Sequence, residues 1–178
     1  FDLTSYQQTY SASHGAAVHD VALRDDGQLM ASAGADKSIK VWNPTNGQPA
    51  QPTQLSGFTG RVNGVTFAAD GMRVIGVSGN AEASQKSGEG LVFNIVAQPA
   101  LLEQSITGHT DVVHGCVTVG SESQFISAAA DGTVLTWHAD AVRHLAGHTQ
   151  PITSVAMIPA LEPEQSPEIL SGSLDGTV

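Results

Sequence analysis

The chain has 178 residues, with 17 Asp plus Glu against 7 Lys plus Arg and a formal net charge of −10. That balance excludes a protein that grips nucleic acid or anionic lipid through bulk charge, because counterion release needs clustered cations. Hydrophobic residues at 40% with 13% charged residues describe a folded β-rich or α/β chain. The single cysteine, Cys116, rules out an internal disulfide and a Cys-based zinc site, and it fits a reducing compartment.

Residues 1–11 lack an initiator Met and a basic-then-apolar leader, and they read as the tail of a preceding unit. The chain is therefore expected to begin inside a longer precursor. A unit over 12–55 opens at Ser13-His14 and carries the apolar triplet Val18, Val21 and Leu23, spaced V-x-x-V-x-L. It turns at Asp26-Gly27, runs through LMASA, turns again at Asp36 and enters IKVW. The unit over 56–106 opens at Gly57-Phe58, repeats the triplet as Val62, Val65 and Phe67, and turns at Asp70-Gly71. It continues through RVIGVS and LVFNI to a more variable strand at Leu101 to Ile106. The unit over 107–145 opens at Gly108-His109 and holds FISAA, Asp131-Gly132 and VLTW. An incomplete unit, 146–178, opens at Gly147-His148, carries Ile152, Val155 and Met157, then ILSGS and Asp175-Gly176.

Two markers keep phase through these units. From His14 to Phe58, His109 and His148 the steps are 44, 51 and 39 residues. An aromatic ending a short apolar run recurs at Phe1, Trp42, Phe93 and Trp137, with steps of 41, 51 and 44. A period near 44 residues, made of short strands between turn residues, predicts an all-β repeat architecture.

These residues resemble the WD-repeat (WD40) family of β-propellers, over essentially the whole chain. The resemblance implies antiparallel blades of four strands, and a larger ring, most often of seven blades, so the remaining blades are expected from the rest of a longer chain. It also implies a hydrogen-bonded His–Ser–Asp–Trp chain in each blade: His14, Ser32, Asp36 and Trp42, then His109, Ser127, Asp131 and Trp137. The last unit supplies His148, Ser171 and Asp175. A Trp six residues after Asp175 would fall beyond Val178, so the natural chain is expected to continue. The second unit departs, with Phe58 for the His, Ser87 in place of the Asp, Phe93 for the Trp and an insertion at 80–86. That blade is expected to be held by apolar packing, and drift explains the lost signature more simply than remodelling.

Recurring Ser, His and Asp invite a hydrolase reading. A catalytic triad is one constellation in a cleft, whereas this set repeats in phase, and no Gly-x-Ser-x-Gly turn presents a serine. Structural roles are favoured and no catalytic residue is assigned. His138, His144 and His148 could converge on a metal, but no ligand-spaced motif supports it. His19 and His114, in the first strands, have no evident partner. Cys116 shares the column of Val21, Val65 and Val155 and is expected to be a core thiol.

The repeat register sorts the loops onto two faces. Ala16, Lys37, Gly60, Arg61, Asp111, Gln150, Leu174 and the insertion share one face, which reads as mixed in charge. Asp25, Asp26, Asp70, Glu122, Asp140 and the loop 159–168 share the other, which reads as acidic. The favoured function is a non-enzymatic scaffold for a protein or peptide partner, with Lys37, Arg61, Asp111 and Gln150 as contact candidates. No cofactor, metal, nucleic acid or membrane insertion is expected. The alternative is a recognition or assembly domain of a larger bacterial enzyme or electron-transfer protein whose chemistry lies elsewhere.

Overall fold

A computed structural model describes residues 11–44, 49–81, 87–119, 124–138, 141–160 and 166–178. The first sheet holds β1 (Val18–Leu23), β2 (Met30–Gly34), β3 (Ser38–Trp42) and β4 (Pro49–Ser56). The second holds β5 (Val62–Phe67), β6 (Arg73–Asn80), β7 (Ser87–Asn94) and β8 (Leu101–Thr107). The third holds β9 (Val113–Val119), β10 (Gln124–Ala129), β11 (Thr133–His138) and β12 (Ala141–Ala146). Strands β13 (Ile152–Ile158) and β14 (Glu168–Ser173) pair as a two-stranded sheet. Every pairing is antiparallel and joins neighbours in sequence.

The inner strands β1, β5, β9 and β13 pack each on the next, so the sheets stand side by side as blades of an open, partial propeller. The core lies in the seams between blades. Side chains alternate across a pleated strand, and a blade is covered on both faces, so β10 is apolar on both. Phe125 enters the seam with the second blade, while Ile126 and Ala128 enter the seam with the fourth. The seam between the first two blades holds Ile39, Val41 and Leu55 against Phe58, Val62 and Phe93.

Polar bonds stitch the same seams. Asp20 Oδ2 accepts the Val65 N–H at 2.9 Å, and Asn63 Nδ2 donates to the Val113 carbonyl at 2.9 Å. Each inner strand also skips one residue in its register, at His19, Asn63, His114 and Thr153. A bulge of this kind re-aims the side chain it frees. These four line one concavity of about 400 Å³ along the inner strands.

Two expectations are corrected here, at Ser87 and at Asn80. Val21, for its part, shares a column with buried Val65 and Cys116 yet is 60% exposed. No other blade packs on the outer flank of β1 among the described residues. Ser87 does not occupy the turn position of the missing Asp: it is the first residue of β7, paired with Asn80, because this hairpin is longer than its counterparts. Asn80, read as the start of the insertion, is the last residue of β6. Residues 82–86 of the insertion, Phe1, Glu122, Asp140 and 161–165 lie outside the described residues.

Candidate functional site

In the third blade the His–Ser–Asp–Trp residues come together. Trp137 Nε1 donates to Ser127 Oγ at 2.7 Å, and Ser127 Oγ lies 2.8 Å from His109 Nε2. His109 Nδ1 lies 3.0 Å from Asp131 Oδ2. An indole only donates and a carboxylate only accepts, which assigns the direction of the chain. The indole gives to the hydroxyl, the hydroxyl to neutral Nε2, and the Nδ1–H to the carboxylate.

The first blade makes the same chain with its imidazole turned over. Trp42 Nε1 donates to Ser32 Oγ at 2.8 Å, Ser32 meets His14 Nδ1 at 2.7 Å, and Nε2 meets Asp36 Oδ1 at 3.0 Å. Lys40 donates to the His14 carbonyl and lies 3.5 Å from Asp36 Oδ2. In the fourth blade His148 joins Ser171 at 2.8 Å and Asp175 at 3.2 Å.

Each carboxylate also caps its own turn. Thr133 Oγ1 donates to Asp131 at 2.7 Å, Ser38 Oγ to Asp36 at 2.7 Å and Thr177 Oγ1 to Asp175 at 2.6 Å. Ser38, Thr133 and Thr177 were not singled out in the sequence, although a hydroxyl residue two places after the Asp recurs as DKS, DGT and DGT. The residue between them has φ of +79° at Gly132 and +83° at Gly176, the left-handed region glycine tolerates. Lys37 holds the same position at +63°. Its Nζ donates to the Thr59 carbonyl of the next blade at 2.9 Å.

The second blade solves the same problem with other residues. Phe58 and Phe93 pack with ring centroids 6.0 Å apart where His and Trp stand elsewhere. The strand register puts Gly76 in the column of Ser32 and Ser127. A Cβ at Gly76 would sit 2.7 Å from Phe58 Cζ and closer still to Ile39 Cδ1, so the larger ring occupies the space of the serine. Glu89, in the column of Ser38 and Thr133, takes the carboxylate's part. It accepts the Thr59 N–H at 2.6 Å, Thr59 Oγ1 at 2.8 Å and Ser78 Oγ at 2.7 Å. Asp131 accepts the equivalent N–H of Thr110 at 2.8 Å, and Asp175 that of Thr149 at 3.0 Å. The polar link is thus rebuilt, which corrects the expectation that apolar packing alone holds this blade. The signal was the shared Thr after Phe58, His109 and His148.

Burial lowers the pKa of His109 below the ordinary 6.5 and outweighs the pull of Asp131, which keeps the imidazole neutral. Burial opposes ionisation of Asp131, but the donors Thr133 and Thr110 and nearby His109 overcome it and hold the pKa below 3.8. The Thr177 hydroxyl and the Thr149 N–H hold Asp175 well below the usual carboxylate range. Burial pushes the Cys116 thiol far up, as befits a residue packed among Val77, Val113 and Trp137. The three groups His109, Ser127 and Asp131 are hydrogen-bonded to one another within the blade.

The partner candidates share one end of the blades, one per blade. Lys37 lies between β2 and β3, Arg61 before β5, Asp111 before β9 and Gln150 before β13. Lys37, Arg61 and Gln150 are exposed and Asp111 is half-buried, its Oδ1 accepting the Val112 N–H at 2.8 Å. His138 ends β11, His144 lies within β12, and His148 belongs to the fourth blade's chain. No group of three potential metal ligands converges among the described residues.

The family model described as WD domain, G-beta repeat matches residues 5–43, 101–138 and 140–178, leaving out most of the rebuilt second unit. A striatin homolog of Dictyostelium discoideum is 24% identical over 196 residues, covering 93% of this chain and 23% of that protein. Apoptotic protease-activating factor 1 of Danio rerio is 23% identical over 206 residues, covering 98% and 16%. Striatin-3 of Homo sapiens is 26% identical over 140 residues, covering 71% and 17%. The chain thus spans about a quarter or less of these relatives. The crystal structure of RRP9 WD40 repeats superposes with a TM-score of 0.67 at 19% identity, covering 80% of this chain and 42% of that one. The inward His–Ser–Asp–Trp networks, the four-stranded blades and these matches converge: the chain belongs to the WD40-repeat family.

Proposed function

We propose that this segment is a non-catalytic scaffold that binds a protein or peptide on the loop face carrying Lys37, Arg61, Asp111 and Gln150. The observation that supports it is the use of every recurrent Ser, His and Asp set inside the blades, which leaves the loops as the variable surface. WD40 repeats in general act as interaction platforms, and the match to striatin-like relatives fits that class. Arg61 is exposed and meets no hydrogen-bond or ion-pair partner among the described residues, so it is the cation most available to a partner. The alternative, a recognition domain appended to a bacterial enzyme or electron-transfer protein, draws no support from the relatives named above.

The test is quantitative affinity capture with the wild type, with Arg61→Glu plus Asp111→Lys, and with Glu168→Gln on the opposite end. A partner retained by the wild type and by Glu168→Gln but lost from the double variant supports the reading. A partner retained equally by all three sinks the assignment of this face.

A further inference from the structure

The opposite end of the first two blades carries a feature that the loop face does not explain. The turn between β1 and β2 and the turn between β5 and β6 flank a groove of about 330 Å³. Its lining includes Arg24, Asp25, Asp26, Asp70, Met72 and Val96. Met72 is 54% exposed and Val96 64% exposed, so two large apolar side chains face solvent beside three carboxylates.

The groove is built across two blades. The stem of Arg24 covers Gly71, where an added Cβ would meet its Cδ at 3.3 Å, and its Nη1 donates to the Gly71 carbonyl at 3.4 Å. Arg24 is already matched by Asp26 at 2.8 Å, and Arg73 by Asp70 and Glu103. Asp26 and Asp70 also cap their turns, accepting the N–H groups of Gln28 and Met72. Asp25 has no hydrogen bond or ion pair among the described residues. Both local cations are therefore cancelled, while one carboxylate beside the apolar floor is not.

We infer that this groove is a second docking surface, whose occupant is an extended peptide segment with alternating basic and apolar residues. Charge complementarity selects the occupant. A Lys or Arg meets Asp25 at the rim, an apolar neighbour covers Met72 and Val96, and the local surplus of carboxylates steers approach. An acidic segment is repelled by the same groups, and a polar neutral one leaves the apolar floor wet.

The experiment uses the chain as it stands and a fluorescein-labelled peptide of alternating Lys and Leu, followed by fluorescence anisotropy. Control peptides replace Lys by Glu or Leu by Ser. The expected result is at least tenfold tighter binding of the Lys–Leu peptide than of either control. Asp25→Asn and Val96→Ser, both at exposed positions, are each expected to weaken it by about fivefold, while thermal melts stay unchanged. Glu168→Gln removes one charge elsewhere on the same end and is expected to change nothing. Arg61→Ala, on the other face, is likewise neutral, which separates this surface from the one proposed above. Equal weakening by Glu168→Gln, equal binding of the Ser control, or no binding of the Lys–Leu peptide at millimolar concentration each overturns the inference.

Discussion

The second and third blades of this molecule fill equivalent sites by opposite chemistry. The third threads a hydrogen-bonded chain from Trp137 through Ser127 and His109 to Asp131, with every donor matched. The second fills the same volume with Phe58 and Phe93 and removes the serine at Gly76. It keeps only the outermost link, the carboxylate that holds the N–H entering the blade, and moves it to Glu89. The difference teaches that the four polar residues are not independent. His and Ser exchange together for Phe and Gly, because a buried hydroxyl facing a phenyl ring would be both crowded and unmatched.

That pairing makes the comparison breakable. The largest effect is expected from Phe58→Ala, which empties a site that is 6% exposed and costs about 3–5 kcal/mol, read as a lowered denaturant midpoint. A change of under 1 kcal/mol would show that the second blade does not rest on this ring. Next, Asp131→Ala should cost on the order of 3 kcal/mol, because His109, Thr110 and Thr133 all lose their acceptor. Calorimetry on this variant separates a cohesive network from a decorative one.

Gly76→Ser alone should cost about 1–3 kcal/mol through overpacking against Phe58 and Ile39. Combined with Phe58→His, part of that loss should return. A double-mutant cycle with no coupling would break the claim that the two positions exchange as a unit. Glu89→Ala is expected to cost about 1–2 kcal/mol, since the Thr59 N–H it frees is open to water while the buried Ser78 hydroxyl loses its acceptor.

The smallest effect is in acid. His109 has a folded pKa below 6.5, so the folded state resists protonation, and that stability is present above 6.5 and lost as pH falls below it. Asp131 sits below 3.8, so its contribution holds above that value and disappears as pH falls further. The melting temperature should therefore decline in two stages on acidification. His109→Phe should remove the first stage, and a one-stage decline in the wild type would contradict the neutral imidazole.

Much of this site was legible in residue spacing. His14, Ser32, Asp36 and Trp42 keep the same intervals as His109, Ser127, Asp131 and Trp137, and a hydrogen-bonded chain needs fixed register between two paired strands and the loop that enters the blade. The second unit was not legible in that way. Its longer hairpin shifts the count, so aligning by spacing put Ser87 in the turn, whereas strand pairing puts Glu89 at the working position. Val21 shows the same limit: its column predicts burial, but burial depends on which blade stands beside it.

The sequence by itself determined the repeat, the strands and turns within it, and the members of the His–Ser–Asp sets, because all of these are local patterns or fixed intervals. Only the tertiary structure decided what crosses a seam. Lys37 reaches Thr59, Asp20 reaches Val65, Asn63 reaches Val113, and Arg24 reaches Gly71 across a groove beside Asp25. Those contacts join residues of adjacent blades, and their distances depend on how closely the blades pack, which no interval along one strand encodes.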